Sequence, residues 1–447
     1  MLLSSKIFAV LISLVFIGNL LVVVVCDRQQ EALKYTLRDP YVARLVHKVE
    51  IYNDGHSKTS TNLLVPLISN DTARHYSYIY SISPTPDDIL TDEFGNHYAQ
   101  WKTQISRGES FRASISYIIL SFAITFSVDT NLTHSYNESS IVHVYTQPEK
   151  YVESDAPQII ATAQNIVEGE TNPQEKALRI YDYVVNTLTY IPQPKEQGAL
   201  WALENKAGDC SEFSYLFVAL CRAVGIPARV KAGFAFQSES AFLSEGHMWA
   251  EYYLENYGWI PMDGSWRLFA SLTNLHFSAL QSIPQLTSYS SYLFNFTGTS
   301  RPQHSQTIAL QKANTNDLGD PFARTLYALI LENGKVENKL SLSKILGASF
   351  FFPAEVDKVI KALEEADLSL QKTMQGWESS GDTSHEITST AEMRTETVAK
   401  LVENLILKTL FVDTAAFIIV VAILAALLAK RKREQPPYVV YDTTIDS

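Results

Sequence analysis

Two apolar runs, one near each end of the chain, constrain everything between them. Ile7–Cys26 reads IFAVLISLVFIGNLLVVVVC, and Leu410–Ala429 ends abruptly at Lys430, Arg431, Lys432 and Arg433. A helix of about 20 residues is some 30 Å long, the thickness of a bilayer's hydrocarbon core. No small-residue cleavage pattern follows the first run, so 1–26 reads as an uncleaved signal anchor, with a cleaved signal peptide as the alternative. Residues 410–429 read as a transmembrane helix with Asp413 at its outer interface, and 430–447 as a cytoplasmic basic tail. Lys6 precedes the first run and the four basic residues follow the second. Because basic residues stay on the cytoplasmic side, both termini are expected there, with roughly 380 residues outside the cell membrane.

That outer region is acidic. The 447-residue chain has a formal charge of −12, from 36 basic and 48 acidic residues. Five of the basic and three of the acidic residues lie in the two terminal segments, leaving 31 against 45 between them. Phosphate backbones require a basic face, so nucleic acid is excluded as a partner. The expected contacts are instead the bilayer, through two helices, and a peptide, protein or cell-envelope substrate. The sequons at Asn70, Asn131, Asn137 and Asn295 all fall in the predicted outer part and suggest a glycoprotein.

Three cysteines, Cys26, Cys210 and Cys221, cannot build a disulfide framework. Cys210 and Cys221 are eleven residues apart in one predicted helix, about 16 Å along its axis, beyond the reach of a disulfide. A free thiol is therefore expected.

Runs rich in β-branched and aromatic residues (VARLVHKVEIY, TNLLVPLIS, SFRASISYIILSFAITF) and the turn DEFGN predict an antiparallel β-sandwich over 27–150. Composition then changes. IIATAQNIV reads as a helix, and Asn172 caps a second, NPQEKALRIYDYVVNTL, with Pro173 at its first position. NLHFSALQ and SYSSYLFNF read as strands. Residues 301–409 are expected to be a helical C-terminal region: DPFARTLYALILENG, PAEVDKVIKALEEADLSLQ, a polar spacer, and an amphipathic helix entering the membrane.

The chemistry concentrates in two stretches. In KAGDCSEFSYLFVALCRAVGIPARVKAGF, Asp209 and Glu212 form a capping-box pattern that puts Cys210 in the first turn of a helix. There the N–H groups and the helix dipole favour a thiolate. Phe213, Phe217, Leu220 and Val224 are expected to form its buried face, with Cys221 as a core residue. In EGHMWAEYYLENYGWIPMDGSW, two short strands flank the turn ENYG. His247, Trp249 and Glu251 share one face by the period of two, and the hairpin brings Asp263 beside that strand. An imidazole there would hold the thiol's proton while a carboxylate fixes its tautomer. Glu251 is expected to pair with Arg229 or Arg222, and Trp249, Trp259 and Trp266 to form core or cleft walls.

In order and spacing, this G-x-C at a helix start, G-I-P-A-R strand, H-x-W-x-E and G-W-x-x-x-D hairpin resemble the catalytic core of the transglutaminase-like superfamily, whose fold is related to papain-like cysteine proteases. The resemblance covers about 155–266. It implies a catalytic domain over 151–300, with Cys210 as nucleophile, His247 as general base and acid, and Asp263 as its orienter. It also implies a membrane-anchored prokaryotic protein, since many prokaryotic members carry a β-rich N-terminal domain and membrane helices.

The expected fold class is thus α+β: an N-terminal antiparallel β-sandwich, a papain/transglutaminase-like core and a helical C-terminal region, with a transmembrane helix at each end. The backbone N–H of Cys210 is a natural oxyanion donor, with Tyr190 a candidate for the second. Cys210, Cys221 and His247 lack the further ligand a zinc site needs, and no phosphate-binding glycine loop is present, so no cofactor is implied. The expected activity is thiol acyl transfer at amide bonds, hydrolysis rather than amine crosslinking. The alternative is a non-enzymatic surface binding or scaffold protein carrying a transglutaminase-like domain.

Overall fold

The computed structural model describes residues 32–433 apart from 71–74, 134–135, 137–138, 281–285, 299 and 381–384. The first apolar run, Asn137 and the basic tail beyond Arg433 lie outside the described residues. The fold is mixed α+β.

The chain opens with strands β1 (Tyr35–Tyr52), β2 (Thr59–Pro66), β3 (His75–Ser83), β4 (Asp88–Thr91), β5 (His97–Ile105) and β6 (Ser110–Phe126). The predicted turn joins β4 to β5, with the Asp92 carboxylate accepting the N–H groups of Phe94 and Asn96 at 3.0 Å each. β1 and β6 run antiparallel over most of their length. β1 largely alternates buried with more exposed residues, whereas β6 is buried without a break from Ile115 to Phe122, as a strand covered on both faces is.

Helices α1 (Pro157–Ile166), α2 (Pro173–Thr187), α3 (Ala199–Asn205) and α4 (Cys210–Ala223) follow. The Asn172 side chain caps α2 as expected, accepting from the N–H groups of Gln174 and Glu175. α4 is buried from Ser211 to Arg222, all round rather than along one face as its spacing suggested. A helix apolar on every side belongs in a core. α4 packs against α1–α3 and against strands β7 (Ala228–Ala235) and β8 (His247–Leu254). The second sheet runs Leu268–Phe269, β9 (Gly258–Asp263), β8, β7, β10 (His276–Leu280), all antiparallel.

Two later strands return to the N-terminal sheets. β11 (Leu293–Thr297) pairs with β2, and β12 (Gln303–Lys312) pairs along β1 from Ala43 to Tyr52. The helical expectation for the start of the 301–409 stretch is therefore corrected: QHSQTIALQK buries Ile308 and Leu310, two residues apart, which is strand periodicity. The sheet carrying β1 and the sheet β11-β2-β5-β4 share one apolar cluster, which also takes in Phe234, Phe236 and Phe277 from the central core.

The chain ends in helices α5 (Pro321–Ile345), α6 (Ala348–Phe351), α7 (Pro353–Ser380) and α8 (His385–Arg433). α5, α7 and α8 share an apolar core that includes Val336, Val359 and Val402. α8 continues into the second apolar run, whose side chains are exposed from Phe417 to Leu428. By length and composition this helix is apolar enough to cross a membrane, with a mean hydropathy of 2.7 over its most apolar window.

Candidate active site

The start of α4 is built as its sequence requires. Asp209 Oδ1 accepts the Ser211 N–H at 3.0 Å, and Glu212 Oε2 accepts the Asp209 N–H at 3.0 Å. Neither contact uses the N–H of Cys210, which stays available to a ligand. Glycine at 208 is a packing requirement, because a Cβ there would lie 2.2 Å from Glu212 Cβ. The segment before the helix is tied across this turn: Gln193 N–H donates to Asp209 Oδ2 at 3.0 Å, and Gln197 N–H to Glu212 Oε1 at 2.9 Å.

His247 opens β8 and Asp263 closes β9. The register pairs Ala250 with Met262, which carries Asp263 back toward the start of β8. His247 Nε2 lies 2.7 Å from Asp263 Oδ2. The same ring is hydrogen-bonded to Cys210. With Nε2 committed to Asp263, Nδ1 is the nitrogen left for the thiol. The three residues singled out from the sequence therefore form one continuous line from sulfur to imidazole to carboxylate.

Electrostatics favour a charged imidazole. Burial of the ring lowers its pKa, but hydrogen bonds and charge from Asp263 and Cys210 outweigh that and raise it to about 10. Burial pushes the Asp263 carboxyl up, and its bonds to His247 and His276 more than reverse this, holding it well below the usual carboxylate range. Cys210 is half-buried, whereas Cys221 is fully buried and its thiol is driven upward by burial.

His276 is the residue that motif reasoning missed. It lies on β10, is 3% exposed, and places Nε2 3.3 Å from Asp263 Oδ2. An ionised carboxylate only accepts, so that nitrogen carries the proton. Thr273 Oγ1 meets the other ring nitrogen at 2.9 Å, and the ring packs edge-on against Trp249 and Trp266. Asp263 Oδ1 accepts from Ser265 Oγ at 2.8 Å and the Trp266 N–H at 3.0 Å. The carboxylate thus has four donors. His247, Asp263 and His276 also bring three atoms able to ligate a metal within 4.8 Å of one another, a set the sequence did not suggest; the two imidazole nitrogens lie 2.7 and 3.3 Å from the carboxylate, which are hydrogen-bond separations.

Glu251 pairs with Arg229, its cross-strand neighbour, at 2.6 Å, whereas Arg222 pairs with Glu149 at 2.8 Å. Arg229 also stacks on Trp259, 4.1 Å from the ring centre. Tyr190 is 55% exposed beside the helix start; its phenol is raised to about 12, first by burial and then by the charge of Cys210.

Cys210 and His247 line a cleft of about 640 Å³. Its walls come from the 193–196 segment, the 288–292 segment and, from the N-terminal sheets, Phe294, His304 and Gln306. This is the size class of sites that hold a peptide-sized or smaller ligand. A thiol at a helix start, backed by an imidazole and a buried carboxylate at such a cleft, is an arrangement competent for nucleophilic thiol chemistry.

Residues 160–264 match the model of the transglutaminase-like superfamily core, and the chain carries a domain of that superfamily. Among solved structures, a candidate cysteine protease from Cytophaga hutchinsonii is 17% identical over 62% of this chain and 100% of that one, with a TM-score of 0.46. The periplasmic domain of TgpA from Pseudomonas aeruginosa, bound to ethylmercury, is 14% identical over 53% of this chain and 91% of that one, with a TM-score of 0.28. A candidate protease from Parabacteroides distasonis is 11% identical over 54% and 72%, with a TM-score of 0.20. No curated protein matches the sequence.

Proposed function

We propose that this chain is a membrane-anchored thiol acyl-transfer enzyme that hydrolyses amide bonds of peptides or proteins outside the cell. The observation carrying the reading is the hydrogen-bonded line Cys210–His247–Asp263 at the floor of an open cleft. The Cys210 thiolate attacks the amide carbonyl, and the N–H of Cys210 supports the developing oxyanion, with Tyr190 beside it. His247 gives its proton to the leaving amine, and a thioester forms on Cys210. His247 then takes a proton from the incoming water, whose oxygen bonds to the acyl carbon as the C–S bond breaks, giving the acid and the Cys210 thiolate. Asp263 holds the imidazole in register throughout, and His276 holds Asp263.

Water is the acceptor we favour, since it is in excess in an open cleft. The acid formed and the restored thiolate–imidazolium pair balance that step. Support for the extracytoplasmic placement comes from the apolar run of α8 and the basic residues that follow it, and from the exposure of Asn70, Asn131 and Asn295. The reading is tested by incubating the full chain, in detergent, with a peptide library in the presence and absence of a primary amine. New carboxyl ends in both conditions support hydrolysis; amide-linked amine adducts in place of acid would make crosslinking the activity. No turnover of any peptide, with no thiol labelling, would favour the binding-protein alternative.

A further inference from the structure

The corner between α5 and α7 exposes large apolar side chains where a water-facing turn would be polar. Ile345 and Phe350 are each 83% exposed, Leu342 is 49% and Phe351 is 46% exposed. The corner is well formed. Gly347 takes a left-handed φ of +95°, and a Cβ there would meet the Phe351 ring at 3.3 Å, so the tight turn and the outward phenylalanines depend on glycine. Exposed apolar groups gathered at one place mark an interaction surface.

Its position along α8 identifies the partner. Ala348 packs in the same apolar core as Val402 and Leu405. Glu355, just past the corner, binds Lys408 at 3.1 Å, and the Lys408 ammonium sits 5.9 Å from the centre of the Phe352 ring. Lys408 is two residues before the apolar run that begins at Leu410. These contacts hold the corner at the level where α8 leaves the folded body, beside the exposed Leu407, Leu410 and Phe411. Exposed Lys344 and Lys358 flank it, and lysines at such a boundary extend their ammonium groups toward lipid headgroups.

We propose that the Leu342–Phe351 corner is a second membrane contact, inserting Ile345, Phe350 and Phe351 into the outer headgroup region beside α8. This rests on reading the apolar run of α8 as membrane-crossing. A single helix leaves the folded body free to tilt about its exit point. A second, off-axis contact rigidly joined to that helix fixes the tilt, and with it the height of the Cys210 cleft above the bilayer.

The test uses the full chain in phosphatidylcholine vesicles, with Cys26→Ser and Cys210→Ser and an environment-sensitive fluorophore on one introduced cysteine. Phe350→Cys and Phe351→Cys probe the corner, Lys335→Cys the exposed body of α5, and Ile423→Cys the apolar run. Lipids carrying a nitroxide near the headgroup should roughly halve the emission at 350 and 351 and leave 335 unchanged, as for an interfacial segment. Quenching at 350 by aqueous iodide equal to that at 335 would overturn the proposal. Protection from both quenchers would also overturn it, because protein, either residues 1–31 or a second copy, would then cover the corner. Failure of deep nitroxide lipids to quench 423 would instead refute the membrane-crossing reading on which the proposal stands.

Discussion

His276 Nε2 lies 3.3 Å from Asp263 Oδ2, the same oxygen that holds His247 at 2.7 Å. One buried carboxylate therefore serves two imidazoles, of which only one faces the cleft thiol. His276→Ala should leave Cys210 and His247 in place and lower kcat/KM about 10-fold, the cost of a lost partner behind a catalytic group. KM should change little, and the acid limb of the pH–rate profile should move upward as Asp263 loses a donor to its ionised form. An unchanged profile would assign His276 to packing alone.

The pairing of His247 with Asp263 gives stability a defined pH window. A folded-state pKa near 10 against an ordinary 6.5 means the histidine's contribution is complete below about 6.5 and is lost as pH rises toward 10. The depressed Asp263 adds the opposite limb: its contribution is present above its ordinary value of 3.8 and is lost as pH falls below that. His247→Gln should therefore cost most near pH 5–6, about 3 kcal/mol as for a broken buried pair, and progressively less by pH 10. Thermal unfolding of both proteins across that range measures it.

The two cysteines of α4 should differ in reactivity. Iodoacetamide near neutral pH should modify Cys210 about 100-fold faster than Cys221, which is buried and held as a thiol. Peptide mapping after timed quenching reads the ratio, and equal rates would remove the case for an activated thiol.

Gly208→Ala should disable the site without touching its chemical groups. The added methyl would overlap Glu212, forcing the capped turn that presents Cys210 to shift. Overpacking of this kind costs about 1–3 kcal/mol, and here it should also abolish labelling of Cys210. Labelling at the wild-type rate would show that the turn tolerates the displacement.

The site was legible because its signals are local. A capping box puts Cys210 at a helix start, and a hairpin turn with a strand period puts Asp263 beside His247; only the resemblance to the superfamily core joined the two stretches into one candidate site. His276 was not legible. NLHFSALQ read correctly as a strand, but nothing in it says that β10 pairs with β7 and so delivers the ring to Asp263 from the far side. The return of β12 to β1 was hidden for the same reason, since pairing across more than 250 residues leaves no local mark. The helical reading of 301–312 failed because a region dominated by long helices outweighed ten residues of alternation. Glu251 was read as pairing with either Arg229 or Arg222; only cross-strand register, which sequence gives weakly, chooses Arg229.

The central claim, that Cys210 is the nucleophile of an acyl-transfer reaction, is tested most directly by intact mass spectrometry of the full chain after rapid acid quench with a peptide ester. The wild type should gain the mass of one acyl group, mapped to Cys210, while Cys210→Ala should gain none and melt within about 1–2 kcal/mol of the wild type, the ordinary range for one substitution. Undiminished turnover of the same ester by Cys210→Ala would contradict the account.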